Sequence, residues 1–308
     1  MLVVFGHAWR GARDAGLLSD DSIVRTIDFT VYAFHMPLFF FLSGLIFLET
    51  LQKYPLASLL SGRLTRLLWP MALWSWIFFS AKLAAGQAVN NPVTLSDLPV
   101  VPLSPYEHLW FLWALFLCQS LLVLVYAAGG HRPSTRTWRW AAGIVAVIWA
   151  AANPYLPVPS RVWGPMVEHM PYFLAGMALG GLLMMRPARW LGLLCAAGFL
   201  LLLSQVQTDK ASVVHSLALV MLFCGAWLCL ARRNESSFWR CLGMLGQASM
   251  VIYLTHTIFS ASLRIALLGV GIDNAVIVIT CVTLIGICAP LGVLWAARHL
   301  RMTKLLGF

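Results

Sequence analysis

Apolar residues run through this chain in long blocks separated by short polar stretches, and the length of the blocks sets the reading. Crossing a hydrocarbon core of about 30 Å takes an apolar helix of roughly 17 to 25 residues. The pattern predicts spans over 1–9, 30–48, 67–85, 109–128, 140–153, 170–185, 190–204, 213–230, 243–263 and 275–297. The intervening loops are mostly short. The expectation is therefore an all-α integral membrane protein, a bundle of about ten transmembrane helices forming a single domain over 1–308. The fifth and seventh spans are short for a full crossing. The first cannot bridge the core at about 1.5 Å per residue, so that helix is expected to be truncated at its N-terminus.

Composition agrees with the pattern. The chain is 60% hydrophobic and 10% charged, with 14 Trp, and a soluble domain could not hide that much apolar surface. Charge adds an orientation. Of the 21 Lys and Arg, fourteen fall in one alternate set of loops, among them Lys53, Arg63, Arg66, Arg132, Arg186, Arg232 and Arg233, together with only two acids, Glu49 and Glu235. Arg10, Arg13, Arg25, Lys82, Arg161, Lys210 and Arg264 fall in the other set with the remaining nine acids. The first set should face the cytoplasm, and with ten spans both termini lie there. The net charge of +10 then reports topology and does not call for nucleic acid. Six of the seven cysteines sit in apolar runs without metal-ligand spacing, and Cys241 sits in a short basic loop. Neither a disulfide framework nor a metal site is expected.

The titratable residues are unevenly placed. His7, His35, His108, His169 and His215 fall at the outer ends of spans, and His256 lies in the outer half of the ninth. One histidine at a boundary is commonly an interfacial anchor, but a cluster at one level points to function. "HMPLFFFLSG" at 35–44 and "HMPYFLAG" at 169–176 echo each other, each placing His-Met-Pro where a helix is expected to start. "EHLWFLWALF" at 107–116 sets Glu107 beside His108 at that level, a pairing that can orient a tautomer or raise basicity. On the opposite side, Arg63 and Arg66 in "SGRLTRLLWP" are spaced i, i+3 and should share a helix face. Such a pair suits bidentate phosphate contact, although arginines just inside a span also follow from the positive-inside rule. Tyr253 and His256 share a face of the ninth span, where packing and cavity lining are both open. Ser43 lacks the glycine two residues earlier that a hydrolase elbow uses. The competing class is a proton-coupled transporter or flippase of sugars or polar lipids, using the histidines as a relay.

"VVFGH", "FHMPLFFFLSG", "RLTR", "HLWFLWALF" and "IYLTH" occur in the order and places that resemble the acyltransferase-3 family of bacterial integral-membrane acyltransferases. Two of the segments look most like its fucose-4-O-acetylase-type branch. The resemblance implies acyl transfer, usually of acetyl from acetyl-CoA, to a hydroxyl of a cell-surface glycan or lipid-linked sugar, in the bacterial inner membrane. It matches the family's essential histidine to His7, as general base, and its Arg-x-x-Arg motif to Arg63 and Arg66, as the donor-binding pair. His35, Glu107 and His108 then rank as groups orienting His7 or the sugar, and Trp110, Tyr253 and His256 as acceptor contacts. The family's arginine eleven residues before the histidine would fall upstream of Met1, in keeping with a truncated first helix.

Overall fold

The computed structural model describes residues 1–19, 21–98, 107–129, 134–155, 160–181, 189–206, 212–230 and 237–308. Every regular element among them is helical: α1 (Leu2–Asp14), α2 (Ser22–Lys53), α3 (Leu56–Arg63), α4 (Trp69–Ala85), α5 (Trp110–Ala128), α6 (Thr135–Ala152), α7 (Gly164–Leu179), α8 (Arg189–Ser204), α9 (Val213–Leu230), α10 (Ser237–Gln247), α11 (Ser249–Gly269) and α12 (Ala275–His299). A π-helical turn, Leu64–Leu68, joins α3 to α4. The protein is thus an all-α membrane protein, with a helix in every expected block. Among the described residues, five stretches are long and apolar enough to cross a membrane: Ser22–Lys53, Leu56–Ala88, Glu107–Ala128, Ser249–Gly269 and Ala275–His299. Trp190–Ser204 and Val213–Cys229 are apolar but shorter. The end of the expected span 170–185 lies outside the described residues, as do Asp20, His131, Arg132, Arg186, Asp209, Lys210, Arg232, Arg233 and Glu235.

Several boundaries differ from the sequence pattern because polar residues extend the helices. α1 continues past Trp9 to Asp14. There the Trp9 indole donates to the Val24 carbonyl at 3.2 Å, and Arg10 bonds both carboxylate oxygens of Asp28 at 2.7 and 2.9 Å. α2 begins well before residue 30 because Asp21 caps it. Its carboxylate accepts the Val24 N–H at 2.8 Å and the Ser19 hydroxyl at 2.8 Å, bonds that hold the Asp21 carboxyl below the usual carboxylate range. The helix expected from 67 begins at Leu56 instead, after Pro55 in extended conformation, so Arg63 and Arg66 are interior positions. The basic loop around Cys241 is helix α10, whose Leu245 packs on a cluster of Val4, Ala248 and Ile252.

The chain folds as two compact units. The first comprises Met1–Val31, Trp69–Pro102 and Asn234–Phe308. In it α1 packs on α11 and α12, which pack on each other. Val4 joins Ala248 and Ile252, while Ala8 joins Val278 and Val282. Gly286 of α12 makes this close approach possible, since a methyl there would come within 2.5 Å of Ser260 Oγ and 2.7 Å of Val4 Cγ1. The Ser260 hydroxyl donates to the Val282 carbonyl at 3.1 Å.

The second unit comprises Tyr32–Leu68 and Leu103–Arg233. Here α6 pairs with α7, α8 with α9, and α5 touches both α3 and α7. The two echoing segments meet each other. A methyl on Gly44 would collide with the Phe173 carbonyl, and one on Gly176 with the Phe41 carbonyl, so reciprocal glycines bring the two backbones together as small residues do between membrane helices. Pro37 and Pro171 lie inside their helices rather than at the starts expected for them, because both helices begin earlier. Pro165 is the first-turn proline of α7. Pro171 has no N–H for the Val167 carbonyl one turn back. That carbonyl instead accepts from Trp149 Nε1 at 3.0 Å and Asn153 Nδ2 at 3.4 Å on the α6 side.

Gly176→Ala is expected to cost about 1–3 kcal/mol by overpacking and to lower the melting temperature of the solubilised protein by several degrees. Gly292→Ala, where nothing lies within 4 Å of a new methyl, leaves it unchanged.

Candidate active site

His7 lies in the middle of α1 and is half-buried. Its ring faces His256 of α11, with centroids 5.2 Å apart and planes inclined by 55°. His256 is 0% exposed. Its Nδ1 lies 2.9 Å from the Ile252 carbonyl and 2.9 Å from the Tyr253 carbonyl. Carbonyls only accept, so Nδ1 carries a proton and donates, and in the neutral ring the lone pair lies on Nε2. Tyr253 sits beside it, ring centroids 6.5 Å apart. The structure therefore stations His256, one of the expected acceptor contacts, against the expected base.

Charged and amide groups surround this pair in the first unit. The Arg10–Asp28 ion pair lies one turn along α1 from His7, with Asp28 buried. Arg264 is also buried and stands two turns beyond His256 on the same face of α11, with Ser260 between them. Its Nη2 donates to Asn90 Oδ1 at 3.2 Å, and Asn90 Nδ2 donates to the Gly11 carbonyl at 3.3 Å. A methyl on Gly11 would collide with the Arg264 guanidinium. Sequence reasoning did not single out Asp28, Asn90 or Arg264. The available signal was a charge set against an apolar run, costly at membrane depth unless paired.

The Arg63 and Arg66 pair belongs to the second unit, where the π turn follows Arg63 and contains Arg66. Arg63 is 7% exposed and Arg66 is exposed. Arg63 Nη1 donates to the Leu59 carbonyl at 2.7 Å, and its guanidinium lies 5.3 Å from the Phe47 ring centroid. Its Nε is buried without a hydrogen-bond partner among the described residues. Both arginines nevertheless line one cavity of about 500 Å³, together with Ser43, Thr50, Tyr54 and Gln119. A buried guanidinium with a spare donor beside a hydroxyl-lined space suits an anionic ligand.

The remaining expected residues also lie in the second unit. His35 is buried, edge-on to Tyr32 with centroids 4.6 Å apart. Glu107 and His108 begin the short 3₁₀ turn leading into α5, where Glu107 is exposed and His108 buried. Glu107 takes φ 50°, a left-handed conformation uncommon outside glycine. Trp110 packs on His169, centroids 5.2 Å apart, and Phe40 and Tyr172 also pack on that ring at 4.6 and 5.9 Å. His169 donates from Nδ1 to the Pro165 carbonyl at 2.9 Å.

Arg10→Ala and Asp28→Ala are each expected to destabilise the protein. Thermal unfolding of both single variants and the double variant should give a coupling of about 1 kcal/mol.

The acyltransferase-3 family, described as an acyltransferase domain, matches residues 1–295. The nodulation protein NolL of Sinorhizobium fredii (strain NBRC 101917 / NGR234) is 34% identical over 99 residues, which make up 32% of this chain and 26% of that protein. The aligned segment thus spans about a quarter of that relative's length. No solved structure matches the chain. Because the family match runs from α1 through most of α12 and includes His7, Arg63, Arg66 and His256, the chain belongs to the acyltransferase-3 family.

Proposed function

We propose that this protein moves an acetyl group from acetyl-CoA to a hydroxyl of a cell-surface glycan or lipid-linked sugar, in the bacterial inner membrane, with both chain ends cytoplasmic. The observation that carries the reading is His7, half-buried in α1 with its ring against a buried imidazole, in a chain of the acyltransferase-3 family. The basic excess of one set of loops supports the orientation.

The donor's phosphates bind at the cavity of Arg63 and Arg66. The spare Nε–H of Arg63 and the exposed guanidinium of Arg66 donate charge-assisted hydrogen bonds to phosphate oxygens there. His7 is the general base. It takes the proton of the acceptor hydroxyl as that oxygen attacks the thioester carbonyl. A C–O bond forms, the C–S bond breaks, and the proton passes from His7 to the departing sulfur to give free CoA and the acetyl ester. An imidazole, with an ordinary pKa near 6.5, can take and return a proton near neutrality. Trp110 and Tyr253 are aromatic groups suited to a sugar ring, and His35, Glu107 and His108 are further polar groups for the acceptor.

His7→Ala, inserted and folded normally, is expected to lose transfer by about 10²–10⁴-fold while still binding acetyl-CoA. Unchanged transfer would remove His7 from the mechanism. Arg63→Ala/Arg66→Ala should weaken acetyl-CoA binding at least about tenfold, and wild-type binding should fall as salt screens the phosphates. Wild-type protein that binds no acetyl-CoA would exclude this donor.

A further inference from the structure

We propose that Gln119 of α5 and Ser43 of α2 recognise the amide-bearing arm of the acyl donor, so that the cavity of Arg63 and Arg66 selects a phosphopantetheine thioester over other phosphate-bearing molecules. The inference rests on the reading of that cavity as the donor site, and adds the groups that read the ligand beyond its charge.

The lining of the cavity has a direction. Along α2 its wall is made by Ser43, Phe47 and Thr50, which share one helix face, with Tyr54 just past the helix end. From Ser43 to Thr50 that wall runs about 10 Å at about 1.5 Å per residue. Tyr54, Thr65 and Arg66 are exposed, so the mouth lies with them, whereas Ser43 and Gln119 are half-buried. Arg63 is buried, with its guanidinium 5.3 Å from the ring of Phe47, and Phe47 is one turn of α2 from Ser43. A phosphate held by Arg63 and Arg66 therefore leaves the chain attached to it to run on toward Ser43 and Gln119.

That inner end is polar where the surrounding helix is apolar. Gln119 interrupts the apolar run of α5 nine residues before its end at Ala128, about 14 Å into the helix, where an amide without a partner is costly. Nearer the mouth the hydroxyl protons are committed: Thr50 donates to the Ile46 carbonyl at 2.9 Å and Thr65 to the Ser61 carbonyl at 3.0 Å. Gln119 and Ser43 make no hydrogen bond to another described residue, and both line the cavity, so their donors and acceptors are left for its occupant. A glutamine offers N–H and C=O together, the complement of a secondary amide, and a serine hydroxyl also donates and accepts. A CoA thioester presents the matching groups in the matching order, phosphates first, then a chain with two secondary amides, then the sulfur. A nucleotide or an acyl phosphate has the charge without the amides. The cavity volume of about 500 Å³ is that of an ordinary small-molecule site.

The test is calorimetric titration of the full chain in detergent with CoA, with ADP, which has the adenosine and pyrophosphate without the arm, and with phosphopantetheine, which has the arm and a phosphate without the nucleotide. Gln119→Leu, similar in size and suited to an apolar helix, should weaken CoA and phosphopantetheine about tenfold and leave ADP unchanged. Ser43→Ala should do the same by a smaller factor, and Arg63→Ala/Arg66→Ala should weaken all three probes. If the arginine variant loses CoA but Gln119→Leu and Ser43→Ala keep it, or weaken CoA and ADP alike, the proposal is overturned and the donor site stands. If the arginine variant keeps CoA while Gln119→Leu loses both CoA and phosphopantetheine, the arginine reading fails and the arm subsite stands. Wild-type protein that binds none of the three overturns both. If Gln119→Leu does not fold, Gln119→Met, which also lacks the amide, decides the matter with the same probes.

Discussion

A polar group set along an apolar helix has no water to turn to, so its partner must come from the protein itself. This requirement accounts for most of the specific contacts described above. The carbonyl released by Pro171 is taken up by Trp149 and Asn153. Arg10 is matched to Asp28 through two bonds, and the buried Arg63 gives one donor to Leu59 and lays its plane near Phe47. His256 satisfies its Nδ1 within its own helix, on two carbonyls one turn back. The same requirement that stabilises these groups also limits their freedom, and that restriction turns a buried histidine into a group of defined polarity.

Close helix approach is the second half of the same design. Side chains reach each other across helices only if the backbones come near, and in each unit glycines set that distance. In the first, Gly286 lets α12 touch both Val4 and Ser260, and the imidazoles of His7 and His256 meet within the same packing. In the second, Gly44 and Gly176 each lie against the other helix's backbone. The echo of the two His-Met-Pro segments thus carries a packing meaning: each brings a small residue to one shared crossing. It is no evidence of duplication.

The π turn Leu64–Leu68, which follows Arg63 and contains Arg66, sets the local backbone geometry of the motif. In a regular α-helix the two guanidiniums would stand side by side. Here one is buried and one exposed, yet both reach the same cavity. An anion meeting them would find a deep donor and a shallow one.

The class of this protein was legible from the chain alone, because blocks of apolar residues long enough for a bilayer leave little choice but helices in a membrane. The family was legible as well, from the order of five short motifs, and His7, Arg63 and Arg66 stood out as chemistry-bearing residues. Helix ends were less legible, since Asp21 and Arg10 extend helices through capping and pairing that an apolar count ignores. Groupings of residues were the least legible. Nearly 250 positions separate His7 from His256, and no periodicity relates two helices so far apart. The apolar pattern determined that α1 and α11 would be buried helices, and tertiary packing alone decided that their imidazoles face each other, because that contact depends on the register set where α1, α11 and α12 close together at Gly286.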